Sequence, residues 1–199
     1  MTARYQRERA VLTAWLAMLA VLAAVAPSFY GSDQWRAVLV NAAPVVVAAV
    51  GITLVMLAGQ IDISIGSIFS ACGVVAGLAV QAGWPMPVAA ALALACGTLL
   101  GAVNGALVAG LRLPAIVVTL STLVAVRETL RYVREGEFVR NLPYGFQWFG
   151  LPQSAGQYVV VAIAVVVALA AAWGLANLTG GRAIYATGSD AEAARLVGI

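Results

Sequence analysis

Six apolar stretches leave this chain one environment in which it can fold. They run from Val11 to Ala26, Val38 to Gly59, Ile68 to Ala82, Val88 to Leu111, Pro114 to Val126 and Tyr158 to Leu175. A helix that crosses a bilayer core needs about 20 apolar residues, within a range of about 17–25. Four of the six stretches approach or meet that length. Composition agrees: 63% of the residues are hydrophobic and 10% are charged, against about 45–50% and 25% in a soluble domain. Such an excess cannot be hidden in one water-soluble core. The expected fold is therefore an all-α polytopic transmembrane bundle of about six spans. The third and fifth stretches are short, so broken or re-entrant helices are expected near 60–67 and 113–134. The same composition excludes a disordered chain, a disulfide scaffold and a nucleic-acid binder, and the net charge of +3 is read as membrane topology.

Two absences narrow the chemistry. The chain has no His and no Lys, and its 11 basic residues are all Arg. Without His there is no Ser-His or Cys-His nucleophilic site and no imidazole metal site. Without Lys there is no P-loop, so the chain is not itself an ATPase of that type. No catalytic or metal-ligating set is expected. Cys72 and Cys96 lie in apolar runs and are read as small buried hydrophobes.

Orientation follows from arginine placement. Arg4, Arg7 and Arg9 precede the first span and hold the tail, residues 1–9, in the cytoplasm. The competing reading is a signal peptide cleaved after Ala24-Val25-Ala26; an otherwise polytopic chain favours an uncleaved span. Six spans return the C-terminus to the cytoplasm. Arg112, Arg182 and Arg195 then fall inside, and the segment from Arg127 to Gln157 falls outside. That outer segment carries four Arg, but Glu128, Glu135 and Glu137 nearly balance them. Tyr30, Trp35, Trp84, Trp148 and Phe149 fall near the outer interface, where aromatic residues concentrate.

Polar residues within apolar runs are costly and point to function. Asp62 stands in Gln60-Ile61-Asp62-Ile63-Ser64-Ile65-Gly66-Ser67, whose alternation has period two rather than 3.6. A helix break there is expected, with Ser67 capping the third helix. Asp62 is either a solvated loop residue or part of a broken helix that fixes two helix ends. Asn41 and Asn104 are expected to tie helices together, and Pro44 to kink the second span. Thr119, Ser121 and Thr122 can satisfy their hydroxyls on the helix backbone. Gly97, Gly101 and Gly105, and Gly73 with Gly77, recur every four residues and favour close helix packing.

After the sixth span, Ser189 or Asp190 can cap a short helix that Gly198 ends. Its small residues suit docking into a groove on another protein. Here the chain resembles the cytoplasmic coupling loop of bacterial ABC sugar-importer permeases of the ribose, xylose and galactose type. That pattern is similar to G-R-x-I-Y-A-x-G-x-x-x-x-A-A-R-x-x-G-I. Gly181, Arg182, Ile184, Tyr185, Ala186, Gly188, Ala193, Ala194, Arg195, Gly198 and Ile199 fit it. Ile61-Asp62-Ile63-Ser64-Ile65-Gly66-Ser67 looks like the family's I-D-L-S-V-G-S. Asn104-Gly105, then Leu113-Pro114 with Thr119-Leu120, looks like its N-G … L-P-x-x-x-x-T-L segment. Ser121 and Glu128 stand where the family usually has Gly.

The resemblance implies a permease subunit of an ATP-driven monosaccharide importer in the bacterial inner membrane, working with a second permease subunit in a homo- or heterodimer. A separate ABC ATPase would hold ATP and Mg, and a periplasmic binding protein would deliver the sugar; the chain itself would carry no cofactor. Residues 10–179 would form the permease region and 180–199 the coupling loop. ATPase coupling would rest on Arg182, Tyr185, Glu192, Ala193, Ala194, Arg195 and Gly198. Asp62, Ser64, Gly66, Asn104 and Thr119 would form the broken helix and pathway. The tract Asn141 to Gly150 looks closest to permeases of the rhamnose or autoinducer-2 type. Because the family continues with further spans, the chain is expected to be the front part of a permease. A secondary transporter or channel, or a truncated non-transporting remnant, are the alternatives.

Overall fold

The computed structural model describes the backbone of residues 2–198 and the side chains of 8–198; the side chains of Arg4 and Arg7, and Ile199, lie outside the described residues. The described residues form helices and connecting turns, with no strand among them. The helices are α1 (Thr2–Val25), α2 (Ser32–Leu57), α3 (Ile65–Gln81), α4 (Met86–Gly105), α5 (Ala115–Val133), α6 (Gln153–Asn177), α7 (Thr179–Ser189) and α8 (Ala191–Leu196). A π-helical turn, Ala106–Gly110, extends α4. The all-α expectation holds.

Four helical segments are long and apolar enough to cross a membrane: Glu8–Val25, Ser32–Leu57, Met86–Gly110 and Gln153–Asn177. These are the first, second, fourth and sixth expected spans. The third, α3, is apolar but has 17 residues, at the lower edge of spanning length. The fifth, α5, runs on to Val133 and takes in Arg127, Glu128 and Arg131. The apolar stretch that closes at Val126 is thus only the first part of this helix. Apolar character ends there, but the backbone hydrogen bonds of a helix continue as long as the residues are helix formers, and Arg, Glu, Leu and Tyr do not stop one. For the same reason α1 begins at Thr2 and α2 at Ser32, each ahead of its apolar stretch. α2 also runs through Pro44.

The chain divides into two units between Ala42 and Ala43. In the first, Tyr30 donates its hydroxyl to the Leu19 carbonyl at 2.7 Å across the turn between α1 and α2. Phe29 meets the Tyr30 ring edge-on at 5.4 Å.

In the second unit, α3, α4 and α5 pack on one another. The buried residues are mostly small: Ala71, Ala79, Ala89, Ala115 and Val118. Bulky residues such as Leu94 and Val45 point outward, because lipid is as apolar as leucine and helices gain by close backbone approach instead. Gly97 supplies one such approach: a Cβ there would stand 3.0 Å from Cys72 Sγ. Gly101, Gly105 and Gly73 face open space, so only part of the four-residue glycine spacing is used within this chain.

Opposite ends of this bundle are closed differently. At one end, residues 134–152 fold back: Gln81 donates Nε2 to the Arg140 carbonyl, and Val139 covers Gly77 so closely that a Cβ there would stand 2.9 Å from Val139 Cγ1. The buried Trp148 lies against Gly156 of α6 so closely that no Cβ fits there. At the other end lies the break between α2 and α3.

Candidate functional site: the α2–α3 break and the helices seated on it

Residues 58–64 are not helical, as the period-two pattern predicts. Gly59, at φ +75°, turns the chain after α2. Asp62 Oδ1 then accepts two bonds, from the Ser64 amide at 2.7 Å and the Ser64 hydroxyl at 2.6 Å. Asp62 is half-buried and is tied to the residue that starts α3.

The cap of α3 needs correction. Ser64, not Ser67, is the N-cap residue. Ser67 lies inside the first turn, and its hydroxyl donates to the Ser64 carbonyl at 2.8 Å. Ser64 itself makes no side-chain cap bond, because its hydroxyl is donated to the Asp62 carboxylate, a charged acceptor that makes the stronger bond.

From Ser64 the network crosses to the other two helices. Asn104 Nδ2 of α4 donates to Ser64 Oγ at 2.9 Å. Thr122 Oγ1 of α5 donates to Asn104 Oδ1 at 2.6 Å. The Ile63 amide donates to Thr119 Oγ1 at 3.3 Å, and Thr119 Oγ1 donates to the Ile61 carbonyl at 3.4 Å. Ser64, Asn104 and Thr119 are 0%, 5% and 3% exposed. One chain of bonds thus runs Thr122, Asn104, Ser64, Asp62, and one threonine clamps the loop backbone. Four of the five residues expected at the broken helix meet here. The fifth, Gly66, is exposed and lies outside the network. Asn41 is exposed and does not join them.

Thr122 and Ser67 belong to this hub and were absent from the expected set. For Thr122 the spacing to Thr119 carried the signal, since residues three apart share a helix face.

The segment 180–199 is mostly helical: Thr179–Ser189 is the helix α7, ahead of the expected short helix α8. Only the Leu178 linker, at ψ 151°, separates α7 from α6. No Cβ would fit at Gly181, which sits on the Gly174 and Leu175 carbonyls. Asp190 is the cap of α8: its Oδ1 accepts from the Glu192 and Ala193 amides, both at 3.0 Å. Gly198 follows α8 at φ +83°, the left-handed turn that favours glycine. Arg182, Tyr185, Glu192, Ala193 and Arg195 are exposed, whereas Ala194 is buried.

The two regions touch. A Cβ on Gly188 would collide with the Leu57 carbonyl oxygen and stand 3.1 Å from the Gly59 amide. Gly59 in turn faces Gly188 Cα at 3.4 Å. The last turn of α7 therefore lies backbone to backbone on the end of α2, where the break begins.

Comparison with known proteins places this arrangement. Residues 35–199 match the family described as branched-chain amino acid transport system / permease component. The chain belongs to this permease family. Its members are transport components rather than enzymes, and the match with the apolar helices makes this a membrane protein.

Among curated proteins, the autoinducer 2 import system permease protein LsrC of Enterobacter sp. (strain 638) is 35% identical over 193 residues, covering 97% of this chain and 56% of its own length. LsrC of Photorhabdus luminescens is 35% identical, covering 97% of this chain and 58% of its own. LsrC of Shigella flexneri is 37% identical, covering 94% and 56%. The chain thus spans a little over half the length of these relatives. No solved structure matches it.

Proposed function

We propose that this chain serves as a permease subunit of an ATP-driven importer and that α7 and α8 form the docking element for its ATPase. The observation that carries this reading is the seating of Gly188 on the Leu57 carbonyl. A motor that pushed on α7 and α8 would press directly on the end of α2 and on the hub that ties α3, α4 and α5. Rigid contact of this kind suits a transporter that rocks between two states. The exposed Arg182, Tyr185, Glu192 and Arg195 are the residues such a motor would meet.

In this reading the N-terminal residues, the break and α7–α8 face the cytoplasm, and residues 134–152 face outward. A second permease subunit completes the path, and a periplasmic binding protein delivers the solute. The relatives' names make autoinducer 2 the first solute to test, with monosaccharides next.

Co-purification tests the proposal. From native membranes the chain should bring with it an ATPase carrying a P-loop, and Arg195→Glu should remove most of it and cut solute uptake at least tenfold. Uptake that continues without any associated ATPase would sink the ATP-driven reading in favour of a secondary transporter.

A further inference from the structure

Ser64, Asn104 and Thr119 are buried in the hub, whereas Gly66 and a group of polar side chains beside it border a cleft that solute could reach. Between α3 and α5 lies a cleft of about 660 Å³, within the range of roughly 300–1,000 Å³ usual for small-molecule sites. Ser67 and Ser70 border it from α3; Arg127, Arg131 and Arg134 border it from α5, with Glu137 nearby.

Depth makes this cleft unusual. The bond from the Ile63 amide to Thr119 sets the start of α3 beside the first turns of α5. Arg127 lies eight residues beyond Thr119, about 12 Å farther along the helix. The whole of α3, residues Ile65–Gln81 without an acidic or basic side chain, is about 25 Å long. Arg127 and Glu128 therefore stand level with the middle of an apolar neighbour, and Arg131 about one turn beyond. Charges at such depth face a bundle interior or a water-filled cavity rather than lipid.

The charges are also incompletely matched. Glu128 serves both Arg127, at 3.4 Å, and Arg131, at 3.6 Å. Arg134 Nε is buried and finds no hydrogen-bond partner among the described residues, which is costly unless something else supplies an acceptor. Ser67 and Ser70 spend their protons on the Ser64 and Gly66 carbonyls, which leaves their oxygens able to accept.

We infer that the α3–α5 cleft is a hydrated, solute-facing wall of the permease that takes a small polyhydroxylated solute, with Arg127 and Arg134 donating to its oxygens and Ser67 and Ser70 accepting from its hydroxyls. This rests on the transport reading above but not on the ATPase. Guanidinium donors beside hydroxyl acceptors match the alternating donor and acceptor character of a polyol.

Thiol labelling tests it, in the complete transporter with Cys72 and Cys96 replaced by Ser. A membrane-impermeant cationic methanethiosulfonate reagent, applied from outside, should modify Ser70→Cys at least tenfold faster than Phe69→Cys. These positions share one depth, but Phe69 does not line the cleft. Whichever of autoinducer 2 and ribose the unaltered transporter takes up should slow the Ser70→Cys reaction at least threefold. Equal rates at positions 69 and 70 would overturn the inference, and so would fast labelling that the transported solute leaves unchanged. Uptake of neither solute would count against the transport reading instead, while the comparison of the two labelling rates would still decide whether the cleft is hydrated. Ser70→Cys is nearly isosteric, so folding is not at stake.

Discussion

Ser64 has no exposed surface, yet its hydroxyl works in both directions, donating to Asp62 and accepting from Asn104. A buried polar group left without its partner costs about 1–3 kcal/mol. Thr122→Val removes the donor to Asn104 Oδ1 while keeping the shape, and should destabilise the protein by that amount. Ser121→Ala, on the exposed side of the same helix with its hydroxyl on the Val117 carbonyl, should change stability by less than about 0.5 kcal/mol. Thermal unfolding in detergent compares them; equal effects would mean that the hub contributes no more than a surface hydroxyl. Asp62→Ala should cost more than Asp62→Asn, since the amide oxygen still offers Ser64 an acceptor. Before folding, Asp62 reads as either a loop residue or an anchor. Its own partner, Ser64, is two residues away, but Ser64 is held in turn by Asn104, forty residues on, and no local pattern announces that pairing.

Gly188 acts at the scale of the element. It sits in α7 without any need of positive φ, and its role is lack of bulk: a single methyl would meet the Leu57 carbonyl. Gly188→Ala should push α7 off α2. If α7 transmits the motor's stroke, the assembled complex should keep its bound ATPase and lose at least tenfold in uptake. Full uptake by a stable Gly188→Ala protein would remove the contact from the mechanism. α8 depends on its cap, being six residues long. Asp190→Ala should weaken it by about 1 kcal/mol, roughly fivefold in local opening. Faster trypsin cleavage after Arg195 would report this, and an unchanged rate would show that α8 is held by packing alone. The motif over residues 181–199 marked this segment, but its helical form over Thr179–Ser189 escaped notice. Gly180, Gly181 and Gly188 argue against a helix locally, and packing against α6 and α2 overrides them.

For the whole molecule, the testable property is sidedness. The arginine distribution sends the turn at Arg112 inward and the segment around Tyr144 outward. Alkaline phosphatase fused after Tyr144 should be active, and fused after Arg112 inactive; the reverse pattern would invert the proposed topology. The fold itself is consistent with this, since Arg112 follows the end of α4 near the break, while Val139 and Arg140 close the opposite end.

What the sequence determined alone is the membrane class, the helical spans and the point where α2 and α3 part. Apolar run length and residue period are local properties, and the bilayer rewards them directly. It also excluded Ser-His and Cys-His pairs and imidazole metal ligands, because His is absent. Tertiary structure decided which polar residues serve which purpose. Ser64, Asn104 and Thr119 are drawn together into a buried tie between three helices, with Asp62 at its edge. Arg127 continues α5 beside an apolar neighbour, and Arg134 follows the end of that helix. The reason is the same in both cases: the role of a polar group in a membrane protein depends on what faces it across a helix interface, and that pairing exists only once the helices have packed.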